Sequence, residues 1–394
     1  MPNWSSRRAF LASGLALPVA ASANQTRLAG PPPAPRPESM VYGTLGKTGL
    51  KVSRLGFGGN VASDPSVLAA AFDLGVNFFD TARVYNNGNS ERMLGAVFAG
   101  KRKDVVLATK TMAKTGAQAL LDLDASLKAF GTDYIDIWHL HSRNAPADIA
   151  DGLFEAQRTA KQQGKIRFAG VSMHFSMKDM IPYLVKLGQT DIILCAYNFS
   201  MPPDMEMETA IAAARQAGIG IVAMKTMAGG FARIQLGDRL YTDNPKALTD
   251  KLKHPGAMVS AMKWALRNKN VDTAIVGITD RDQLAENVAA VAQPFTDGDR
   301  QLLAAQMDFI RPLYCRMCGA CAGTCPRGLP VADLLRILSY ADGYGQFPMA
   351  RERFLELPET VRQVRCSDCS ECAIHCPNGV RVPERLRKAQ AWLA

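Results

Sequence analysis

The sequence predicts an α/β chain: a (β/α)₈ barrel of the TIM type over residues 41–310, then a small, mainly helical domain over 311–394. Three observations carry this. Short apolar runs alternate eight times with amphipathic stretches across about 250 residues, the usual length of such a barrel. "GFGGN" at 56–60 follows the first run, where an open dinucleotide-binding sheet would carry Gly-x-Gly-x-x-Gly. Eight of the nine cysteines fall within 315–376.

The elements follow in order. "VYGTLGKTGLKVS" reads as a hairpin by its alternation and its glycine-containing turn. Strands are expected at 54–57, 76–81, 105–110, 134–141, 166–171, 191–197, 220–224 and 271–276. Helical stretches separate them. "PSVLAAAFDLG" ends on a C-capping glycine. "DIADGLFEAQRTAKQQGK" spaces its apolar residues helically and ends basic. The stretch between the two cysteine groups also reads as helices.

The net charge of +10 suggests nucleic acid until it is located. Residues 1–40 hold four arginines against one glutamate, and 311–394 hold eleven arginines and one lysine against eight acids. The barrel region is therefore near neutral. The C-terminal excess suits counter-charge for bound clusters better than a nucleic-acid surface. Beyond the N-terminal region no apolar run is long enough to span a membrane.

The N-terminus resembles a twin-arginine export signal. Arg7-Arg8 precede Phe10, Leu11 and an apolar stretch, and Ala21-Ser22-Ala23 supplies a small-residue cleavage pattern. Residues 1–23 are expected to be the signal and 24–40 a proline-rich linker. The expected location is periplasmic or otherwise exported.

In a barrel, polar residues at the C-terminal ends of strands are catalytic candidates. Asp80 ends the second strand, Tyr85 follows it, Lys110 ends the third and His141 the fourth. This set suits carbonyl chemistry. Hydride delivery to carbon builds charge on oxygen, so a proton donor must stand there. Tyr85 is the candidate donor. Lys110 is expected to lower its pKa, Asp80 to hold Lys110, and a neutral His141 to orient the carbonyl. His139, earlier on the same strand, reads as a core residue.

These residues and their contexts resemble the aldo-keto reductase family over 41 to about 293. "LGKTGLKVSRLGFGG", "GVNFFDTARVYNNGNSERMLG", "VLATKT", "DYIDIWHLHS", "GKIRFAGVS" and "AIVGITDRDQLAEN" carry the resemblance. It implies an oxidoreductase acting on a small-molecule carbonyl or alcohol with NAD(P). Ser172 would lie near the nicotinamide carboxamide, with Met224 also on the cofactor. Gly277, Thr279, Gln283, Glu286 and Asn287 would hold the adenosine end. Met173 and Leu194 replace the Asn and Gln usual in the family, and Gly277 and Gln283 lack the charge that a 2′-phosphate would want. Cofactor preference stays open.

"CRMCGACAGTCP" and "CSDCSECAIHCP" repeat one spacing, C-x₂-C-x₂-C-x₃-C-P. That is the bacterial ferredoxin pattern for four-iron clusters, in which the fourth cysteine often ligates the other cluster. Two [4Fe-4S] clusters are expected: Cys315, Cys318, Cys321 and Cys376 on one, and Cys366, Cys369, Cys372 and Cys325 on the other. Disulfides would close strained small loops, and zinc prefers two separated pairs. The module resembles a helical two-cluster ferredoxin, an arrangement also appended to some aldo-keto reductases. Twin-arginine export carries loaded, folded proteins, so cluster insertion would precede it. The competing reading is an electron-transfer or partner-binding protein on an inactive barrel. A redox partner protein is possible on either reading.

Overall fold

The computed structural model describes residues 40–230 and 256–394. The signal reading at 1–23 and all of the linker but Met40 lie outside the described residues. Ten strands are described: β1 (Tyr42–Thr44), β2 (Lys51–Ser53), β3 (Leu55–Gly58), β4 (Phe78–Asp80), β5 (Val106–Thr111), β6 (Ile135–Leu140), β7 (Ile166–Met173), β8 (Ile192–Ala196), β9 (Gly220–Met224) and β10 (Thr273–Gly277). The last eight close into a parallel barrel in the order β10-β3-β4-β5-β6-β7-β8-β9. The expected (β/α)₈ architecture is therefore present.

Strand alternation builds two cores. Phe78, Val106, Ala108, Ile137, Ile192, Leu194 and Val222 pack together inside the barrel. Trp138, Leu140, Met173 and Cys195 belong to the core between strands and helices. Leu45, Leu50 and Val52, from the β1–β2 hairpin, join the inner core and close the N-terminal end. Asp272 ties this plug down, its carboxylate accepting from Gly46 N at 3.1 Å and Ile221 N at 2.9 Å. On β7, a Cβ at Gly170 would stand 2.2 Å from His139 Nδ1. A glycine is needed there to let an inward imidazole fit.

The C-terminal module has its own core. The helices Val331–Asp342, Phe347–Leu355 and Val382–Leu393 bring Leu334, Leu335, Leu338, Phe354, Leu386 and Leu393 together. Asp342 is buried and paired with Arg385, and Lys388 Nζ approaches it at 3.1 Å. Both cations come from the last helix, so this ion cluster fixes the first helix of the module to the last.

The module and the barrel form one compact unit. The loop after β9 meets the end of helix Val331–Asp342 backbone to backbone, and a Cβ on Gly343 would stand 2.2 Å from Gly229 O. Gly229 N donates to Tyr344 Oη at 3.2 Å. Arg353 Nη2 donates to Val84 O at 2.8 Å, one residue before Tyr85. Among the described residues no helix is long and apolar enough to cross a membrane.

The Gly343 contact yields a prediction. Its φ is −100°, so alanine is conformationally allowed and only space opposes it. Gly343→Ala is expected to lower stability by about 1–3 kcal/mol, as overpacking does. A urea midpoint equal to wild type, at unchanged m-value, would contradict the tight seating of the module.

Candidate functional site

The strands deliver their polar residues to the C-terminal end of the barrel, where a cavity of about 350 Å³ opens. Its lining includes Asp80, Tyr85, Met224, Gly277, Thr279, Gln283, Glu286 and Asn287. Lys110 and His141 stand beside it. Ser172 sits behind it, with its Oγ accepting from Ser142 N at 3.0 Å. A wider surface depression of about 610 Å³, around Arg102, Leu127 and Tyr134, precedes β5 and β6 and holds none of these residues.

Tyr85 reaches the cavity because the chain turns sharply after it. Asn86 and Asn87 adopt φ of 49° and 52°. Asparagine tolerates this left-handed conformation better than most residues, and Gly88 follows. The Tyr85 ring meets the His141 ring edge-on at 5.9 Å between centroids. Lys110 Nζ lies 5.1 Å from the centre of the Tyr85 ring. Lys110 and Asp80 form a buried ion pair, and Lys110 Nζ also donates to Thr81 O at 2.6 Å.

The electrostatics differ in one respect from the expectation that Lys110 lowers the Tyr85 pKa. Burial first, then the charges of Asp80 and Tyr340, push the Tyr85 phenol well above its ordinary value. Lys110 directs its ammonium to Asp80 and the Thr81 carbonyl. Arg353 and Arg336, both from the C-terminal module, act in the lowering direction on Tyr85. Burial, then Lys110, Arg336 and Arg353, hold the His141 pKa well below the usual range. His174 is lowered likewise, by burial and then by Lys225 and Arg336.

Several cavity residues escaped the sequence reading: His174, Lys225, Thr226, Tyr340 and Tyr344. Two were open to discovery. His174 lies two residues beyond Ser172, on the same face of an extended chain, and Lys225 directly follows β9. Tyr340 and Tyr344 had no such signal, because the face their helix turns toward the barrel is set by docking. Lys225 Nζ approaches Tyr340 Oη at 3.2 Å, and Arg336 Nη1 donates to the same oxygen at 3.0 Å.

The nicotinamide positions fit unevenly. Thr279 and Gln283 are exposed and bonded to each other, Gln283 Oε1 accepting from Thr279 N at 3.1 Å. Asn287 Nδ2 donates to Gln283 O at 2.7 Å, while its Oδ1 has no bonded partner. Met173 and Leu194 are buried in apolar cores and offer no hydrogen bonds to a carboxamide.

The eight motif cysteines are all free and fall into two sets. Cys315 interacts electrostatically with Cys321, Cys318 and Cys376, and burial pushes its thiol up to about 12. Cys366 interacts with Cys325, Cys372 and Cys369, and its thiol is pushed up to about 11, mainly by burial. In each set the fourth cysteine comes from the other motif. Gly319, at φ 80°, helps the first loop curl. Met317 N and Asn378 Nδ2 donate to the sulfurs of Cys315 and Cys318 at 3.4 and 3.5 Å, as groups around a sulfur-ligated cluster do. Among the described residues no three His, Cys, Asp or Glu side chains converge as they would on a single ion. Four thiols per set are the donor chemistry of a four-iron cluster.

Comparison with known proteins agrees with this geometry. Residues 59–306 match the model of the aldo/keto reductase family, and 314–380 match a 4Fe-4S dicluster domain. The chain is 30% identical over 302 residues to L-galactose dehydrogenase of Arabidopsis thaliana, covering 68% of this chain and 94% of that protein. It is 29% identical over 303 residues to an uncharacterized oxidoreductase of Bacillus subtilis, covering 64% and 91%. The holo structure of an aldo-keto reductase from Bacillus halodurans superposes with a TM-score of 0.56 at 27% identity, covering 68% of this chain and 96% of that one. The barrel closed by eight parallel strands, its polar strand ends and the family match together place this chain in the aldo/keto reductase family, with a 4Fe-4S dicluster domain at its C-terminal end.

Proposed function

We propose that this oxidoreductase reduces a small-molecule carbonyl, or oxidises the corresponding alcohol, in the cavity at the barrel mouth. The observation that carries the reading is the convergence of Tyr85, His141 and the Asp80–Lys110 pair at one end of that cavity, with Gly277 to Asn287 at the other. A nicotinamide nucleotide, when bound, supplies or accepts the hydride. Tyr85 gives its phenolic proton to the carbonyl oxygen, a role suited to a phenol that burial keeps protonated. Neutral His141 orients that oxygen. Lys110, neutralised locally by Asp80, places a fixed dipole against the Tyr85 ring. Gly277, Thr279, Gln283, Glu286 and Asn287 would hold the nucleotide's adenosine end, and Met224 and Ser172 would face the nicotinamide side.

The same proposal assigns one [4Fe-4S] cluster to Cys315, Cys318, Cys321 and Cys376 and a second to Cys366, Cys369, Cys372 and Cys325. It also assigns twin-arginine export to residues 1–23, on the strength of Arg7-Arg8. A second reading, electron transfer on an inactive barrel, is favoured by the apolar Met173 and Leu194 where carboxamide partners were expected.

Four measurements test these assignments. Tyr85→Phe keeps the ring and removes the donor, so kcat for p-nitrobenzaldehyde reduction should fall by about 10²- to 10⁴-fold with KM little changed. Turnover equal to wild type would instead support the inactive-barrel reading. Anaerobically prepared protein should hold about eight irons and eight acid-labile sulfides. Cys376→Ser should disturb the cluster nearest the barrel, and Cys325→Ser the other. Each variant should keep the electron paramagnetic resonance signal of the intact centre. Loss of the opposite centre in each case would overturn the crossed ligand sets. Replacing Arg7 and Arg8 with lysine should leave precursor in the cytoplasm, and unchanged export would remove the signal assignment.

A further inference from the structure

Tyr340 has no place in the chemistry described so far, although it lines the same cavity as Asp80 and Tyr85. It is buried, and it is carried by the C-terminal module rather than by the barrel. Its oxygen receives two cations from opposite sides. Lys225 Nζ, at the end of β9, stands 3.2 Å away, and Arg336 Nη1, one helical turn earlier, stands 3.0 Å away. Arg336 is paired with Asp333 at 2.8 Å, whereas the described residues give Lys225 no carboxylate. Tyr344 faces Tyr340 ring to ring at 6.2 Å. Tyr85, His174, Asp80 and Glu286 are the other titratable groups lining the cavity.

We propose that Tyr340 is a base of this pocket, acting opposite Tyr85 as acid, so that the pocket enolises a bound ketone or aldehyde bearing a C–H next to its carbonyl. This rests on the carbonyl-binding reading of the site. The Tyr340 oxygen takes the proton from the adjacent carbon, and the C–H pair becomes the C=C bond of the enol. The carbonyl π pair takes the Tyr85 proton as the new O–H bond. Nothing is oxidised or reduced, and the reverse steps return the ketone. The substrate class indicated is a ketone or aldehyde with an exchangeable C–H next to its carbonyl, of which hydroxyacetone is a simple probe.

The geometry suits the roles. A phenolate oxygen has three lone pairs. Lys225 and Arg336 occupy two, and the third is available to the cavity. The environments also push the two phenols apart. Tyr340 is lowered to about 7, against the effect of burial, by the charges and hydrogen bonds of Lys225 and Arg336. Tyr85 is raised, and part of that rise comes from Tyr340 itself. Two titratable groups separated in this way are the usual sign of an acid–base pair. Neutral His141 beside Tyr85 adds a second donor to the carbonyl oxygen without adding charge.

The test needs no nucleotide. The full-length, cluster-loaded protein is incubated anaerobically in D₂O with hydroxyacetone, and loss of the α-proton signals is followed by proton NMR. Wild type should exchange them above the buffer rate, with a rise through pH about 7 as Tyr340 ionises. Tyr340→Phe should slow exchange by about 10²-fold or more. Lys225→Met removes a cation that favours the phenolate, so the rise should move to higher pH. Retained visible cluster absorbance shows that each variant is folded. Exchange at the buffer rate in wild type, or at the wild-type rate in folded Tyr340→Phe, overturns the proposal. Because exchange uses no reductant, p-nitrobenzaldehyde, which has no such proton, tests reduction separately. A protein that reduces it without exchanging hydroxyacetone sinks only the enolisation.

Discussion

The helix Val331–Asp342 and the residues just after it cover part of the barrel mouth, and the electrostatics of the site follow from that burial. An ammonium or carboxylate in low dielectric must find a partner or change its charge. Asp80 and Lys110 pair. Lys225 and Arg336 converge on a phenol oxygen. Burial first, and then nearby cations, lower the pKa of His141 and His174 toward the neutral imidazole. Exposed to solvent, the same residues would be screened and would titrate near their ordinary values.

Placement of that helix depends on backbone contact more than on side chains. Gly343 meets Gly229 O where no Cβ would fit. Tyr344 then reaches Gly229 N, and Tyr340 falls beside Lys225. The buried Asp342, next to Gly343, fixes the same helix end to Arg385 and Lys388 of the last helix. The cavity-lining tyrosine, the docking glycine and the module core are thus coupled within the five-residue span Tyr340–Tyr344.

Much of this was legible in the sequence, for identifiable reasons. A strand buried on both faces reads as a short apolar run, so the barrel strands could be located and Asp80 and Lys110 placed at strand ends. His141 was assigned from the register of a family resemblance; it lies one residue beyond the end of β6, with its ring against that of Tyr85. The two cysteine sets followed from spacing alone, because a tight loop turns its fourth cysteine away from the other three. Electrostatic sign was not legible in the same way. A lysine near a tyrosine suggests a lowered phenol pKa. The result depends on which atom of the ring the ammonium faces and on how dry the site is, and both are tertiary facts. Tyr340 and Tyr344 were invisible for a related reason: an amphipathic helix announces that it has a buried face, without saying what will cover it.

The module therefore joins the barrel in two distinct ways. Cys315 and Cys318 pack against the barrel's outer core, beside Tyr314 and Met317, while Cys315 also touches the module core with Cys321, Cys325, Cys366, Cys372 and Cys376. The first cysteine set thus straddles the boundary, and Asn198 of the barrel reaches Tyr314 Oη at 3.4 Å immediately before it. The second set lies farther out, with Cys369 exposed. Solvent exposure is one of the factors that tune a sulfur-ligated iron centre, and Cys369 is the one exposed motif cysteine, the other seven being half-buried. The same docking that sets the first cysteine set against the barrel also brings Tyr340 into the cavity.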